Sequence, residues 1–270
     1  MAPVITLTTD FGLKDPYVAE VKAAILSISP DVVLVDITHE VEKFNTRMGA
    51  YILASASPYF PKGTIHLTIV DPGVGTKRQP ILIQTQRAYF IGPDNGVMTL
   101  AAKKEDTIQI RKIVNPRLMM SETTNTFHGR DIFAPAAAYL ANGSPPEEFG
   151  PKLSKIETPA LAETVRRNDM LVGEIIHIDD FGNAITNFTE KEVADFKDRN
   201  AIAVEFRNDR LKLKFCKTYG DVGFREPLAL IGSHGFLEIA LNQSNAAEKF
   251  KLKIGNRISI CLGSARKSET

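Results

Sequence analysis

Four turn segments concentrate the residues able to do chemistry. Asp10 lies in TTDFG (residues 8–12), directly after a short apolar run. Asp71 opens DPGVGTKR (residues 71–78), which adds Gly73, Gly75, Lys77 and Arg78. His128 sits in TFHGRD (residues 126–131), and Asp179 and Asn183 bracket DDFGN (residues 179–183). A similar polar turn, Ser233-His234-Gly235, leads into a strand that runs toward Asn242. A carboxylate at a strand end can hold a ribose diol, a metal ion or a reacting water, and it can equally cap a helix or shape a turn. Arg78 is expected to return onto Asp71 and keep that carboxylate ionised. His128 titrates near neutrality, which suits proton transfer. Asp179 and Asn183 suit a ligand amino or carboxylate group, or a plain hairpin turn. His39, His66 and His177 fall in or next to strands and read as structural.

Several familiar chemistries are missing from these segments. DPGVGTKR lacks the spacing of a phosphate-binding P-loop, although its glycines allow backbone to approach a ligand closely. Asp180-Phe181-Gly182 occurs without the other kinase signatures. No zinc-protease motif, cysteine pair or EF-hand loop is present, and Cys216 and Cys261 show no metal spacing. Asp10 and Asp15 offer oxygen ligands suited to calcium, which keeps a calcium-dependent reading open.

The elements that must position these residues alternate in the first half. Residues 4–7, 32–37 and 64–70 are short runs rich in β-branched residues, and 81–84 and 88–91 look like further strands. Val18, Val21, Ile25 and Ile28 recur at helical spacing behind Asp15-Pro16, expected as N-cap and first helical residue. Residues 48–56, 97–102 and 131–141 read as further helices. This rhythm predicts an α/β N-terminal domain with a mainly parallel sheet (residues 1–155). A Pro- and charge-bearing linker follows (156–167). Short strands at 170–178, 201–206, 211–215, 228–231, 237–240 and 257–262, with turn signals such as Asn208-Asp209, predict a smaller all-β, barrel-like C-terminal domain (168–264). The last residues, 264–270, are expected to fray.

The 270 residues carry 33 Lys+Arg against 32 Asp+Glu, a net charge of +1, with 43% hydrophobic residues. That composition excludes a disordered chain and argues against a nucleic-acid binder, which needs a basic surplus. No apolar run approaches the ~18 residues of a membrane span. The N-terminus lacks the pattern of a signal peptide, and two cysteines are too few for a disulfide framework, so a reduced cytoplasm is the expected compartment.

Taken in order, TTDFGLKDPYV, VDITHEV, IVDPGVGTKR, GPDNGV, TFHGRDIFAP, IDDFGNAITN and GSHGFLEIALNQSNAA resemble the S-adenosyl-L-methionine (SAM) hydroxide adenosyltransferase family, relatives of the SAM-dependent fluorinase and chlorinase. The resemblance spans about residues 5–262. It implies hydrolysis of SAM to adenosine and L-methionine, with SAM as substrate and no cofactor or metal. It further implies a homotrimer whose sites form between the N-terminal domain of one subunit and the C-terminal domain of the next, with neither nucleic acid nor membrane as a partner.

Carried residue by residue, the resemblance matches Asp71, Arg78 and His128 to the groups that hold the attacking water. Asp10 matches the carboxylate on the ribose hydroxyls, Phe44 an aromatic beside the ribose, and Asn183 a ribose contact from the C-terminal domain. Asp179 matches the carboxylate that meets the methionine amino group. Ser233 lies in the segment that receives the methionine carboxylate, and Asn242 in the strand whose backbone receives adenine. Two positions depart from the halogenating relatives: His234 replaces an arginine near the methionine carboxylate, and Gly129 replaces a serine that helps grip fluoride.

The implied reaction is displacement at C5′ by water, with a neutral thioether leaving. Holding a water in line is worth up to ~7–11 kcal/mol, and a placed base adds about 10²–10⁴-fold. Either Asp71 or His128 is a suitable base. The alternatives are a SAM-dependent halide adenosyltransferase, a calcium-dependent nucleoside hydrolase, and a SAM- or adenosine-binding protein without turnover. A carboxylate beside the attack site disfavours halide, since two like charges ~4 Å apart cost about 4 kcal/mol at an effective dielectric of ~20.

Overall fold

The structure is a computed structural model, which describes residues 2–159, 163–167, 170–194, 201–206 and 209–261. Asn208, Leu262 and the tail 264–270 lie outside the described residues. Contacts divide the chain into an N-terminal unit, 1–159, and a C-terminal unit, 160–270.

The N-terminal unit is built on seven strands: β1 (Val4–Thr9), β2 (Val33–Thr38), β3 (Ile65–Ile69), β4 (Pro80–Thr85), β5 (Tyr89–Pro93), β6 (Thr107–Lys112) and β7 (Lys152–Leu153). Their order is β2-β1-β3-β5-β4-β6-β7. The first four in that order run parallel, while β4, β6 and β7 join antiparallel. The mainly parallel sheet expected from the strand–helix rhythm is thus present, extended on one side by hairpin strands. The helices are α1 (Tyr17–Ile28), α2 (Thr46–Ala56), α3 (Thr99–Lys104) and α4 (Ala134–Ala141). Ile5 and Leu7 of β1 pack with Val21 and Ile25 of α1 and with Ala134, Ala136, Ala137 and Ala138 of α4, all buried. Each fully buried branched side chain of this kind contributes about 1.5–3 kcal/mol.

Period-two alternation turns Thr6 and Thr8 of β1, and His66 and Thr68 of β3, to the opposite face, where all four are buried. His66 accepts or donates a hydrogen bond with Thr6 Oγ1 at 2.8 Å from Nδ1, and its ring stacks on Phe90. Burial pushes its pKa down to about 4. An unfolded histidine titrates near 6.5. The unfolded chain therefore binds the extra proton between these values, and stability falls as pH drops from about 6.5 to about 4. The full loss is about 3 kcal/mol. Thermal melts across that range should show it, and His66→Gln, which cannot titrate, should flatten the slope.

The C-terminal unit contains β8 (Val165–Arg167), β9 (Met170–Ile178), β10 (Ala184–Thr189), β11 (Ala201–Phe206), β12 (Asp209–Cys216), β13 (Pro227–Ile231), β14 (Phe236–Leu241) and β15 (Arg257–Cys261), with the short α5 (Ala246–Lys249). Strands β9, β10, β14, β13, β12, β11 and β15 close into a seven-stranded barrel, because β10 and β15 both pair with β9. Its interior is a separate apolar core that includes Ile175, Phe188, Val204, Leu237 and Ile239. The barrel-like C-terminal domain is as expected. Strand β8, within the segment read as linker, adds to the start of β9.

Candidate active site

Strands β1 and β3 lie side by side in parallel, with Thr9 opposite Ile69. Both therefore end on the same carboxyl edge of the sheet, and Asp10 and Asp71 emerge there together. Ligands of open α/β sheets bind at this edge. Asp10 is buried, and its Oδ2 accepts from the backbone N–H of Phe44 at 2.8 Å. Its own carbonyl accepts from Lys43 Nζ. Phe44 is 69% exposed and adopts a positive φ of 65°, which presents its ring at the rim. Asp15 departs from its expected role. The helix begins at Tyr17 with Pro16 at the cap position and no side-chain cap, and Asp15 instead lines the cleft beside Asp10.

Asp71, Arg78 and His128, up to 57 residues apart in the chain, form one connected group. Arg78 Nε lies 2.9 Å from each Asp71 oxygen, and Nη2 also donates to Oδ2. Their side chains are 8% and 6% exposed. The same Nη2 lies 3.0 Å from His128 Nδ1. Guanidinium can only donate, so Nδ1 accepts and the ring proton sits on Nε2. Arg78 Cζ lies 5.0 Å from the centre of the Phe133 ring. Its Nη1 is buried without a hydrogen-bond acceptor among the described residues. The pKa of His128 is lowered by burial first and by Arg78 second. Asp71, Asp131 and a hydrogen bond to the Thr124 backbone oppose that shift. The imidazole is therefore neutral at pH 7.

Two local features bring His128 to this place. The 71–78 loop turns at Gly75, whose φ is +75° and where a Cβ would lie 2.5 Å from the Asn125 carbonyl oxygen. Only glycine lets this loop lie against the 124–128 segment. Residues 131–141, expected as one helix, begin instead with a π-helical turn over Gly129–Phe133 before α4. Such turns recur at functional sites because the extra residue re-aims side chains.

These residues open onto a cleft of about 230 Å³ lined in part by Asp10, Asp15, Lys43, Phe44, Asp71 and His128. Phe11, Tyr17 and Phe127 form an aromatic cluster in its wall, with ring centres 5.2–5.8 Å apart. With Arg78 included, three carboxylates face two cations, so the cleft carries a net negative charge that suits a cationic ligand.

In the C-terminal unit, Asp179 and Asn183 close the turn between β9 and β10. Asp179 Oδ1 accepts from the N–H groups of Phe181 and Asn183, at 3.0 and 2.8 Å, and Oδ2 accepts from Asn183 Nδ2 at 2.9 Å. A carboxylate has about four acceptor positions, so one remains for a ligand. Gly182, at φ +80°, is pressed against Asn245, and Phe181 is 79% exposed. Ser233 and His234 lie in the turn between β13 and β14. Asn242 follows β14. Its N–H donates to Glu226 O at 3.1 Å, its carbonyl accepts from Arg225 N at 2.9 Å, and its side chain donates to Val222 O at 2.8 Å.

Sequence reasoning missed several residues now seen at these places. Lys43 reaches the Asp10 carbonyl, although only its neighbour Phe44 was singled out. Glu238 is buried on β14, where its carboxylate accepts from Tyr219 Oη at 2.7 Å. Burial chiefly, and the nearby Asp179 charge, raise its pKa, against the Tyr219 hydrogen bond. Asp131, read as a helix start, is 1% exposed and grips Thr124. A buried acid inside an otherwise apolar strand, such as FLEIAL, was the available signal for Glu238. No group of three or more His, Cys, Asp and Glu suited to a metal ion occurs among the described residues.

The family model described as SAM hydroxide adenosyltransferase N-terminal domain matches residues 5–150, and the corresponding C-terminal domain matches residues 173–259. The chain is 39% identical over 267 residues to a protein of Thermus thermophilus named (R)-S-adenosyl-L-methionine hydrolase, covering 94% of this chain and 98% of that protein. A Methanocaldococcus jannaschii protein of the same name is also 39% identical, covering 95% of each. A crystal structure of a conserved protein from Thermotoga maritima superposes with a TM-score of 0.83 at 41% identity, over 95% of this chain and 99% of that one. The chain belongs to the SAM hydroxide adenosyltransferase family.

Proposed function

We propose that the protein hydrolyses (R)-S-adenosyl-L-methionine to adenosine and L-methionine. The observation that carries this reading is the contiguous Asp71–Arg78–His128 group, whose Asp71 and His128 line the cleft that also holds Asp10. Two relatives that the chain matches along almost their whole length carry the name of this activity. In the reaction a water oxygen bonds to C5′, the C5′–S bond breaks, and its electron pair returns to sulfur. The cationic sulfonium becomes a neutral thioether, and one proton is released. No acid is needed at sulfur. The protein's task is to aim the water and accept its proton.

Asp10 is assigned to the ribose hydroxyls, with Phe44 and Asn183 beside the ribose. Asp179 is assigned to the methionine ammonium, Ser233 to the methionine carboxylate, and the Asn242 segment to adenine. The net negative cleft favours the sulfonium and disfavours halide as nucleophile. A homotrimer, in which the C-terminal unit of a neighbouring subunit completes each site, is part of this reading. The exposed aromatic rings of Tyr17 and Phe44 at the cleft support it, and light scattering of the purified protein tests it. Cytoplasmic residence is proposed because Cys216 and Cys261 are both unpaired.

The decisive experiment incubates each sulfonium epimer of SAM in ¹⁸O-water with chloride present. The expected result is consumption of the (R) epimer to adenosine labelled at the 5′-hydroxyl, with or without EDTA. A 5′-chloro product would overturn water as the nucleophile. Free adenine and loss of activity with EDTA would favour the calcium-dependent nucleoside hydrolase, and binding without product would favour a sensor.

A pH dependence follows from His128. Its lone pair is needed, and its pKa lies below the ordinary 6.5, from burial first and Arg78 second. Turnover should rise with pH through a midpoint below 6.5 and stay flat from pH 7 to pH 8. A kcat profile with its midpoint above 7 would contradict a neutral His128.

A further inference from the structure

We propose that Asp131 is a positioning residue for this reaction: it fixes Thr124, and with it the 124–131 segment that carries His128. The inference rests on the reading that His128 takes part in turnover. It starts from a closed set of hydrogen bonds. Asp131 Oδ2 accepts from the Thr124 N–H at 2.7 Å and from Thr124 Oγ1 at 2.6 Å. Thr124 Oγ1 accepts in turn from the Phe127 N–H at 3.2 Å, and the Phe127 carbonyl accepts from the Asp131 N–H at 3.1 Å. The segment 124–131 thereby closes on itself around His128. His128 lies inside this closed segment, with its Nδ1 facing Arg78 at 3.0 Å. The imidazole is thus met by Arg78, and the backbone that presents it is closed by Asp131.

The same carboxylate is anchored from outside the loop. Its Oδ1 accepts from Arg130 Nε at 2.7 Å, and Arg130 Nη1 reaches Glu20 of α1 at 2.8 Å. Burial alone would raise the Asp131 pKa, but hydrogen bonds from Arg130 and Thr124 outweigh it and keep the carboxyl below its ordinary range. A charge 1% exposed in a segment without regular secondary structure on its N-terminal side is expensive unless it organises that segment. Three charged groups act on the imidazole: Asp71 and Arg78 from the loop after β3, and Asp131 from the π-helical turn. Asp131 and Asp71 favour its protonated form, whereas Arg78 opposes it. Removing the Asp131 charge should therefore move His128 further down.

The test uses the full chain labelled with ¹⁵N-histidine, with the His128 signals assigned by their loss in His128→Gln. Asp131→Asn is expected to lower the His128 pKa and to mix its two neutral tautomers. It should also cut kcat on the order of tenfold, with KM changed by less than about twofold. Thr124→Val, at an exposed position, should shift the same signals and lower kcat even where Asp131→Asn folds poorly. Thr124→Ser keeps the hydroxyl and should recover most of that loss. Unchanged His128 titration and tautomer in both Asp131→Asn and Thr124→Val would overturn the proposal, whatever happens to kcat. A wild-type protein that does not turn SAM over would sink the hydrolase reading alone, since the NMR response reports the Asp131–His128 coupling without it.

Discussion

Asp71→Asn is expected to lower kcat by about 10³-fold while SAM and adenosine bind within a few-fold of wild type. The carboxylate is the centre of the group: it accepts from Arg78 through three donor contacts, and Arg78 in turn donates to His128. Asparagine keeps the shape and one acceptor oxygen, but it presents an amide N–H to a guanidinium that has only donors. Arg78, 8% exposed, is left with an uncompensated charge. Breaking a buried pair in this way costs about 3–5 kcal/mol, so the melting temperature should fall as well. Turnover measured well below the lowered melting temperature, alongside calorimetric binding of adenosine, separates the two effects. If binding and turnover fall together, Asp71 grips the ligand rather than the water.

Gly75→Ala is expected to reduce kcat by about 100-fold without touching any group assigned to the chemistry. An L-residue at φ +75° is strained, at about 1–2 kcal/mol, and its Cβ would lie 2.5 Å from the Asn125 carbonyl oxygen. Backbone cannot yield as a flexible side chain does. The 71–78 loop and the 124–128 segment must therefore separate, and with them Arg78 and His128, now 3.0 Å apart. A misplacement of about 1 Å at a reacting centre costs about 10²-fold. Gly73→Ala is the useful control: its Cβ would meet mainly the Cγ of Arg78 at 3.1 Å and a threonine hydroxyl at 3.4 Å, which are side-chain atoms. Equal losses for both variants would show that the approach to Asn125 is not what sets the geometry.

Several features were legible in the residues themselves. The apolar runs of β1, β2 and β3 and the helical spacing of Val18, Val21 and Ile25 announce their elements, because side-chain period and β-branching act locally. Placing Asp10 and Asp71 at one sheet edge needed only the inference that β1 and β3 are parallel, which the helices between them require. The extents of β9 and β11 were likewise readable from uninterrupted strand-forming runs closed by turn residues.

Other features were not legible, for reasons that are physical. Asp15-Pro16 has the chemistry of a helix start, yet the helix begins one residue later and Asp15 turns to the cleft. Local capping preference is worth about 1 kcal/mol, and tertiary packing overrides it. The short β7 and β8 carry no pattern of their own, because pairing with β6 and β9 creates them. The π-helical turn at Gly129–Phe133 adds one residue per turn, which no 3.6-residue period reveals.

What the residue order determined by itself is the set of chemical groups and the local elements that carry them: an acid, a guanidinium and an imidazole, each in a turn beside a strand or helix. What only the tertiary structure decided is their juxtaposition, with Arg78 meeting His128 across 50 residues of chain and Gly75 lying against Asn125. It also decided that Asp131 faces inward to organise the imidazole loop rather than simply starting a regular helix. Propensity and periodicity act over a few residues, whereas these contacts exist only once apolar burial has brought distant segments to one edge of the sheet.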